Sequence, residues 1–120
     1  MSLDVYLSRK KIVSYDEGKT FKDEFDEVFW ANITHNLGEM AQKAGIYEAL
    51  WRPEEISKVR AGDIIGLLED GLKRLRDKPG YYISFNPENG WGDYEGFVDF
   101  VSKYLDACKQ FPESIIRISR

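Results

Sequence analysis

Apolar side chains alternate with polar ones at both ends of the chain. Leu3, Val5 and Leu7 are interleaved with Asp4, Tyr6 and Ser8, and Ile116 and Ile118 with Arg117 and Ser119. A period of two sends one set of side chains to a core and the other to water, the pattern of a half-buried strand. Strands at the two termini most simply pair in one sheet, and the helical periodicity between them must then cover its apolar face. The expectation is an α+β fold: a small antiparallel sheet to which both termini contribute, covered by about three main helices. Repeats, low-complexity tracts and linkers are missing, so residues 1–120 read as a single domain. That length is enough for two layers to enclose a core.

Between the terminal strands, Lys10 and Lys11 read as a turn and residues 12–15 as a second strand. Residues 16–26 (DEGKTFKDEFD) read as an exposed loop or hairpin tip, and Val28, Phe29 and Trp30 as a third short strand. A helix is expected from near Thr34, with Ile33, Leu37, Met40, Ala41 and Ala44 on one stripe. Asn32 or Thr34 can cap it, and Gly45 can stop it in a left-handed conformation. Residues 46–51 add a helical turn or two before Pro53, and Glu54 and Glu55 suit the start of another short helix. A second long helix spans 61–77 on Ile64, Leu68, Leu72 and Leu75, ended by Pro79-Gly80. Residues 81–85 carry no assignment, and 86–92 (NPENGWG) read as a loop. A third helix over 93–110 buries Tyr94, Phe97, Val98, Val101, Leu105 and Cys108.

Charge and composition remove whole classes of function. Seventeen basic and twenty-one acidic side chains leave a net charge of −4, against the basic footprint that nucleic-acid binding requires. No run approaches the roughly 20 apolar residues of a membrane span, and the first residues lack a basic-then-apolar signal pattern. The one cysteine, Cys108, has no internal disulfide partner, which suits a reducing, cytoplasmic compartment. A lone histidine, His35, leaves no two-histidine phosphoesterase and no multi-histidine metal centre. One imidazole with one carboxylate does not close a metal site, so neither metal nor cofactor is expected.

Aromatic residues make up 14% of the chain, and several sit beside Gly, Asn and Arg rather than in apolar stripes. Three groups follow from this. Asn32, His35, Asn36 and Glu39 are spaced to share one side of a helix, off the apolar stripe. They offer amides and an imidazole to ribose hydroxyls or a purine edge, or else form a cap and a solvated face. Tyr47, Trp51, Arg52 and Pro53 place an indole next to a guanidinium, suited to an aromatic base beside a phosphate. Alternatively, Trp51 plugs the core where a short helix ends and Arg52 lies on the surface. Asn89-Gly90-Trp91-Gly92, with Tyr94 and Glu95, permits close backbone approach and positive φ, either as a ligand cradle or as an Asn-Gly turn with Trp91 as a lid. The lysine and hydroxyl residue of a P-loop are missing. No nucleophile sits on a Gly-x-Ser-x-Gly turn, and Cys108 falls on an apolar stripe.

Residues 32–41 (NITHNLGEMA), 44–56 (AGIYEALWRPEEI) and 89–95 (NGWGDYE) together resemble a widespread family of small proteins encoded by phages and prophages. The resemblance extends to the start at residues 3–7 (LDVYL) and the end at Ile118-Ser119-Arg120, so it covers nearly the whole chain. Many members carry more residues before the NITH segment than this chain does. The resemblance implies a phage context in the cytoplasm of a bacterial host cell. Phage proteins of this size that are not enzymes include sponges for nucleotide immune signals.

The leading expectation is therefore an anti-defence protein that sequesters a nucleotide-derived signal without turnover. Cyclic ADP-ribose isomers, ADP-ribose conjugates and cyclic nucleotides are the candidate ligands. Trp51 or Trp91 would stack on adenine, Arg52 would pair a phosphate, and Asn32, Asn36 or Asn89 would hold ribose. One alternative is a phosphodiesterase-like enzyme with His35 as general acid or base, assisted by Glu39 or Glu95. Another is an inhibitor that binds a host protein through exposed aromatics. A small ligand site of this kind can be completed at a symmetric interface between copies, which makes a homo-oligomer a natural partner state.

Overall fold

A computed structural model describes residues 1–14 and 21–120 of the chain. Strands β1 (Ser2–Ser14), β2 (Phe21–Thr34) and β3 (Ile115–Ser119) form one antiparallel sheet in the order β2-β1-β3. Both ends of the chain therefore feed one small sheet, and the fold is α+β. The helices are α1 (Gly38–Lys43), α2 (Tyr47–Trp51), α3 (Ile65–Asp77), α4 (Pro79–Ile83) and α5 (Tyr94–Gln110). Short 3-10 turns over His35–Leu37, Pro53–Ile56 and Ala61–Ile64 join or extend them.

The core forms where the alternation predicts it. Leu3, Val5 and Leu7 are fully buried, opposite Ile33, Ala31 and Phe29 of β2 and level with Ile118 and Ile116 of β3. Phe97, Val101, Tyr104 and Leu105 of α5 and Leu68, Leu72 and Leu75 of α3 complete it. Tyr104 stacks on Phe29, ring centroids 5.8 Å apart, which joins the longest helix to the sheet. Ile46 packs so closely on α3 that a Cβ at Gly71 would lie 2.2 Å from its Cγ2.

The N-terminal half differs from the expected three short strands. Lys10 and Lys11 lie inside β1, paired with Phe25 and Glu24, and the part of the expected loop from Phe21 onward is strand. The remainder of that loop, and the end of the strand expected at 12–15, lie outside the described residues. The physical reason is that nothing between Ser8 and Ser14 forces a turn: the stretch has no Gly, Pro or Asn, while Ile12 and Val13 favour strand. A bulge at Val28 shifts the register, since Leu7 pairs with Phe29 but Ser8 with Glu27.

Ile33 also departs from expectation. It belongs to β2, opposite Leu3, rather than to the first helix. Its spacing from Leu37 fits a helix, but its spacing from Ala31 and Phe29 fits a strand, and sheet pairing decides. The cap is Thr34, whose Oγ1 accepts from the Asn36 N–H at 3.3 Å. Gly45 does adopt the left-handed conformation, with φ 77°, and the Arg74 guanidinium donates to the Ala44 carbonyl at 3.0 Å. Of residues 81–85, unassigned from sequence, the first three form the end of α4, for which Pro79 pre-sets the first turn.

Candidate functional site

The start of β1 and the end of β2 lie side by side, with Ser2 opposite Thr34. Past Thr34 the chain curls into the 3-10 turn that carries His35 and Asn36. The loop before α5 approaches the same turn. Gly92, at φ 93°, sits so close that a Cβ there would lie 2.6 Å from Thr34 Cγ2 and 3.0 Å from Leu37 Cδ1. Only a residue without a side chain fits this seat. Next to it, Trp91 is held in a turn by its N–H, which donates to Asn89 Oδ1 at 2.9 Å. The result is a cleft of about 560 Å³ lined by Trp91, Asn32, Thr34, His35 and Asn36 together with Met1 and Ser2.

Two hydrogen bonds orient the polar lining. The Trp51 indole N–H donates to His35 Nδ1 at 2.8 Å. An indole can only donate, so Nδ1 must be the acceptor and the neutral ring carries its proton on Nε2. At Asn32, the amide nitrogen donates to Asp4 Oδ1 at 2.8 Å, and Trp30 Nε1 donates to the same oxygen at 3.2 Å. A carboxylate only accepts, so the amide presents its nitrogen to Asp4, and its carbonyl has no partner among the described residues. Trp91 itself is 71% exposed and offers a bare indole face.

The residues expected at the site thus separate. Asn32, His35, Asn36 and Trp91 come together, although Asn32 does so from a strand, not from a helix face shared with Asn36 and Glu39. Glu39 is exposed on α1 and Glu95 is exposed on α5; neither lines the cleft. Trp51 is only 3% exposed and stacks on Tyr47 at 5.3 Å, so it is a core residue behind His35 and no platform for a base. Its carbonyl accepts from Arg120 at 2.7 Å, and Arg120 also binds the Glu54 carboxylate, holding that group below its usual range. Arg52 pairs with Glu55 at 3.1 Å. Hydrogen bonding to Tyr47 first, and to Glu55 second, raises its guanidinium above its ordinary value. It does not line the cleft. Asn89 shapes the Trp91 turn, and Tyr94 donates to the Leu75 carbonyl at 2.6 Å, fastening α5 to α3.

Ser2, Thr34, Asp4 and Trp30 were not anticipated. Strand pairing is the signal that brings them in, because residues directly opposite in an antiparallel pair share a face. Asp4 faces Asn32, and Tyr6 faces Trp30 in the adjoining row. A second hollow, about 350 Å³, lies between Arg74, Asp77, Lys78, Tyr81 and Tyr82. Its best polar groups are engaged, Arg74 with Ala44 and Tyr82 with the Lys43 carbonyl.

Among the described residues no group of three or more His, Cys, Asp or Glu could hold a metal ion. No helix among them is long and apolar enough to cross a membrane. Comparison of the chain with protein-family models, curated proteins and solved structures gives no match.

Proposed function

We propose that this protein binds and sequesters a nucleotide-derived signal, without turnover, in the cleft between Trp91 and the His35 turn. The observation that carries this reading is one cleft shared by an exposed indole, two amides and an oriented imidazole. An indole face stacks on any base, worth about 1–3 kcal/mol, while amides and an imidazole N–H suit base edges and ribose hydroxyls. The volume, about 560 Å³, falls within the range of small-molecule sites. The phage setting and the anti-defence role rest on the family resemblance, with the host cytoplasm as the place of action.

Binding without turnover is favoured over cleavage by the state of His35. Its Nδ1 lone pair accepts the Trp51 N–H, so that nitrogen is engaged by the core rather than free to take a proton from a bound molecule. Neither Glu39 nor Glu95 lines the cleft to assist. Arg52 pairs with Glu55 and does not line the cleft, so the amides and the imidazole that do line it are the groups offered to a base and ribose.

The test is calorimetry of the purified chain against cyclic ADP-ribose isomers, ADP-ribose and cyclic dinucleotides, followed by heating and mass analysis of the released molecule. Saturable binding with intact recovery is the expected result. Absence of heat across the panel, or recovery of a cleaved product, overturns it. A second reading, an inhibitor of a host protein, draws on Phe25 and Trp30, which are 58% and 54% exposed on β2. A pull-down from host lysate that depends on Trp30 but not on Trp91 would select it.

A further inference from the structure

We infer that the cleft is polarised for a flat heterocycle presenting a hydrogen-bond donor to Asn32 and an acceptor to His35, the pattern of a 6-aminopurine. This rests on the binding reading above and narrows it to a ligand class. The argument turns on two partners that can play only one role each. Trp51 can only donate, and it occupies His35 Nδ1 from the core side at 2.8 Å; the remaining ring nitrogen, Nε2–H, is then a donor. Asp4 can only accept, and it occupies the Asn32 amino group at 2.8 Å; the amide therefore keeps a carbonyl acceptor in reserve. Amides and imidazoles are ordinarily two-faced, because a flip or a tautomer change exchanges donor for acceptor. Here each such exchange would set two donors or two acceptors against each other.

The same two residues line one cleft with Trp91, whose exposed face selects for a flat ring. Among the described residues no lysine or arginine side chain lines that cleft. A 6-aminopurine meets the pattern, with its exocyclic amine as donor beside ring nitrogens that accept. A 6-oxopurine opposes it, because an oxygen replaces the amine and would face the Asn32 carbonyl.

Adenosine and inosine are the probes, since they share ribose and ring shape and differ at this position. Calorimetry on the intact chain is expected to give tighter binding of adenosine by roughly 5- to 150-fold. Asp4→Asn supplies a partner that both donates and accepts, so Asn32 is free to turn over and the preference narrows. Asn32→Ala, at an exposed strand position, removes the acceptor and is expected to bring the two affinities together. Equal binding of adenosine and inosine by the unaltered chain overturns the inference while leaving the binding reading in place. Loss of binding to both nucleosides overturns both. An adenosine preference that persists unchanged in Asp4→Asn and Asn32→Ala overturns the assignment to this amide.

Discussion

The indole N–H of Trp51 meets Nδ1 of His35 at 2.8 Å, across 16 residues of sequence. A core tryptophan thus sets the protonation pattern of a ring in the cleft. Trp51→Phe keeps an aromatic filler and removes the donor. Loss of one such bond is expected to cost about 0.5–1.5 kcal/mol in denaturant unfolding. Nitrogen NMR of the imidazole gives the sharper reading: a single Nε2–H tautomer in the unaltered chain and a mixture in Trp51→Phe. A mixture in both would show that the indole does not hold the ring.

Trp91 and Gly92 test the loop. Trp91→Ala removes the stacking surface from an exposed site, so stability is expected to hold while affinity falls by about 1–3 kcal/mol. Gly92→Ala meets both a positive φ and the Thr34 methyl, and is expected to lower the melting temperature and the affinity together. Gly90→Ala is the control: φ is also positive at 76°, yet nothing lies within 4 Å of the new Cβ. It is expected to cost only backbone strain, about 1–2 kcal/mol, and less than Gly92→Ala.

Two glycines of α3 should respond in opposite directions. A Cβ at Gly66 meets nothing within 4 Å, so Gly66→Ala is expected to stabilise by about 0.5–1 kcal/mol through helix propensity. Gly71→Ala gains the same propensity but drives a methyl into Ile46, and overpacking of this kind costs about 1–3 kcal/mol. Ile46→Ala in the same chain removes the clash, so the pair should lose less than the sum of the two single losses. Strict additivity in urea unfolding would sink the explanation.

Alkaline unfolding should be governed by α5. Burial pushes the Cys108 thiol up to about 12 and raises the Tyr104 phenol well above its ordinary value. The unfolded thiol ionises near pH ~8.5, so between there and its folded value the unfolded chain binds fewer protons. Stability from this group is whole below the unfolded pKa and is lost as pH rises through the folded one. Unfolding free energy is expected to fall steadily above about pH 8.5, less steeply in Cys108→Ala. At pH 8 a thiol reagent should label the chain only after denaturation. Prompt labelling of the folded chain would contradict the burial.

Tyr104 also carries a buried hydroxyl with no hydrogen-bond partner among the described residues. Such a group costs desolvation without return, about 1–3 kcal/mol. Tyr104→Phe keeps the stack on Phe29 and discards the cost, so unchanged or higher stability is expected. A marked loss would mean that a water satisfies the hydroxyl.

Much of the fold was readable because burial writes a period into sequence. Leu3, Val5 and Leu7, the two terminal isoleucines and the stripe of α5 each face one core, and each was assigned to the right element. The outer reach of β1 and β2 carries no such period. Beyond Ser8 no third strand pairs there among the described residues, so no alternation is needed, and Lys10-Lys11 reads as a turn. Ile33 satisfied two periods at once. At the site, residue types singled out Asn32, His35, Asn36 and Trp91. Trp51 and Arg52 are adjacent in sequence yet part company, because Tyr47 and His35 draw the indole inward while Glu55 keeps the guanidinium at the surface. Asp4 and Trp30 left no local mark, since their role exists only once two strands, 26 residues apart at that contact, are in register.

The central strand is flanked by the nearest strand in sequence and by the most distant one. Synthesis delivers β2 almost at once, but Ile115–Ser119 emerges about a hundred residues after β1, roughly 5–20 seconds later at ordinary ribosomal speeds. Throughout that interval the backbone of Asp4 to Ser8 has an unpaired edge, and the helices made meanwhile dock on an unfinished sheet. Completion of the fold waits on its last strand, so a ribosome stalled before residue 115 would display a sheet whose β1 edge is still open to other strands.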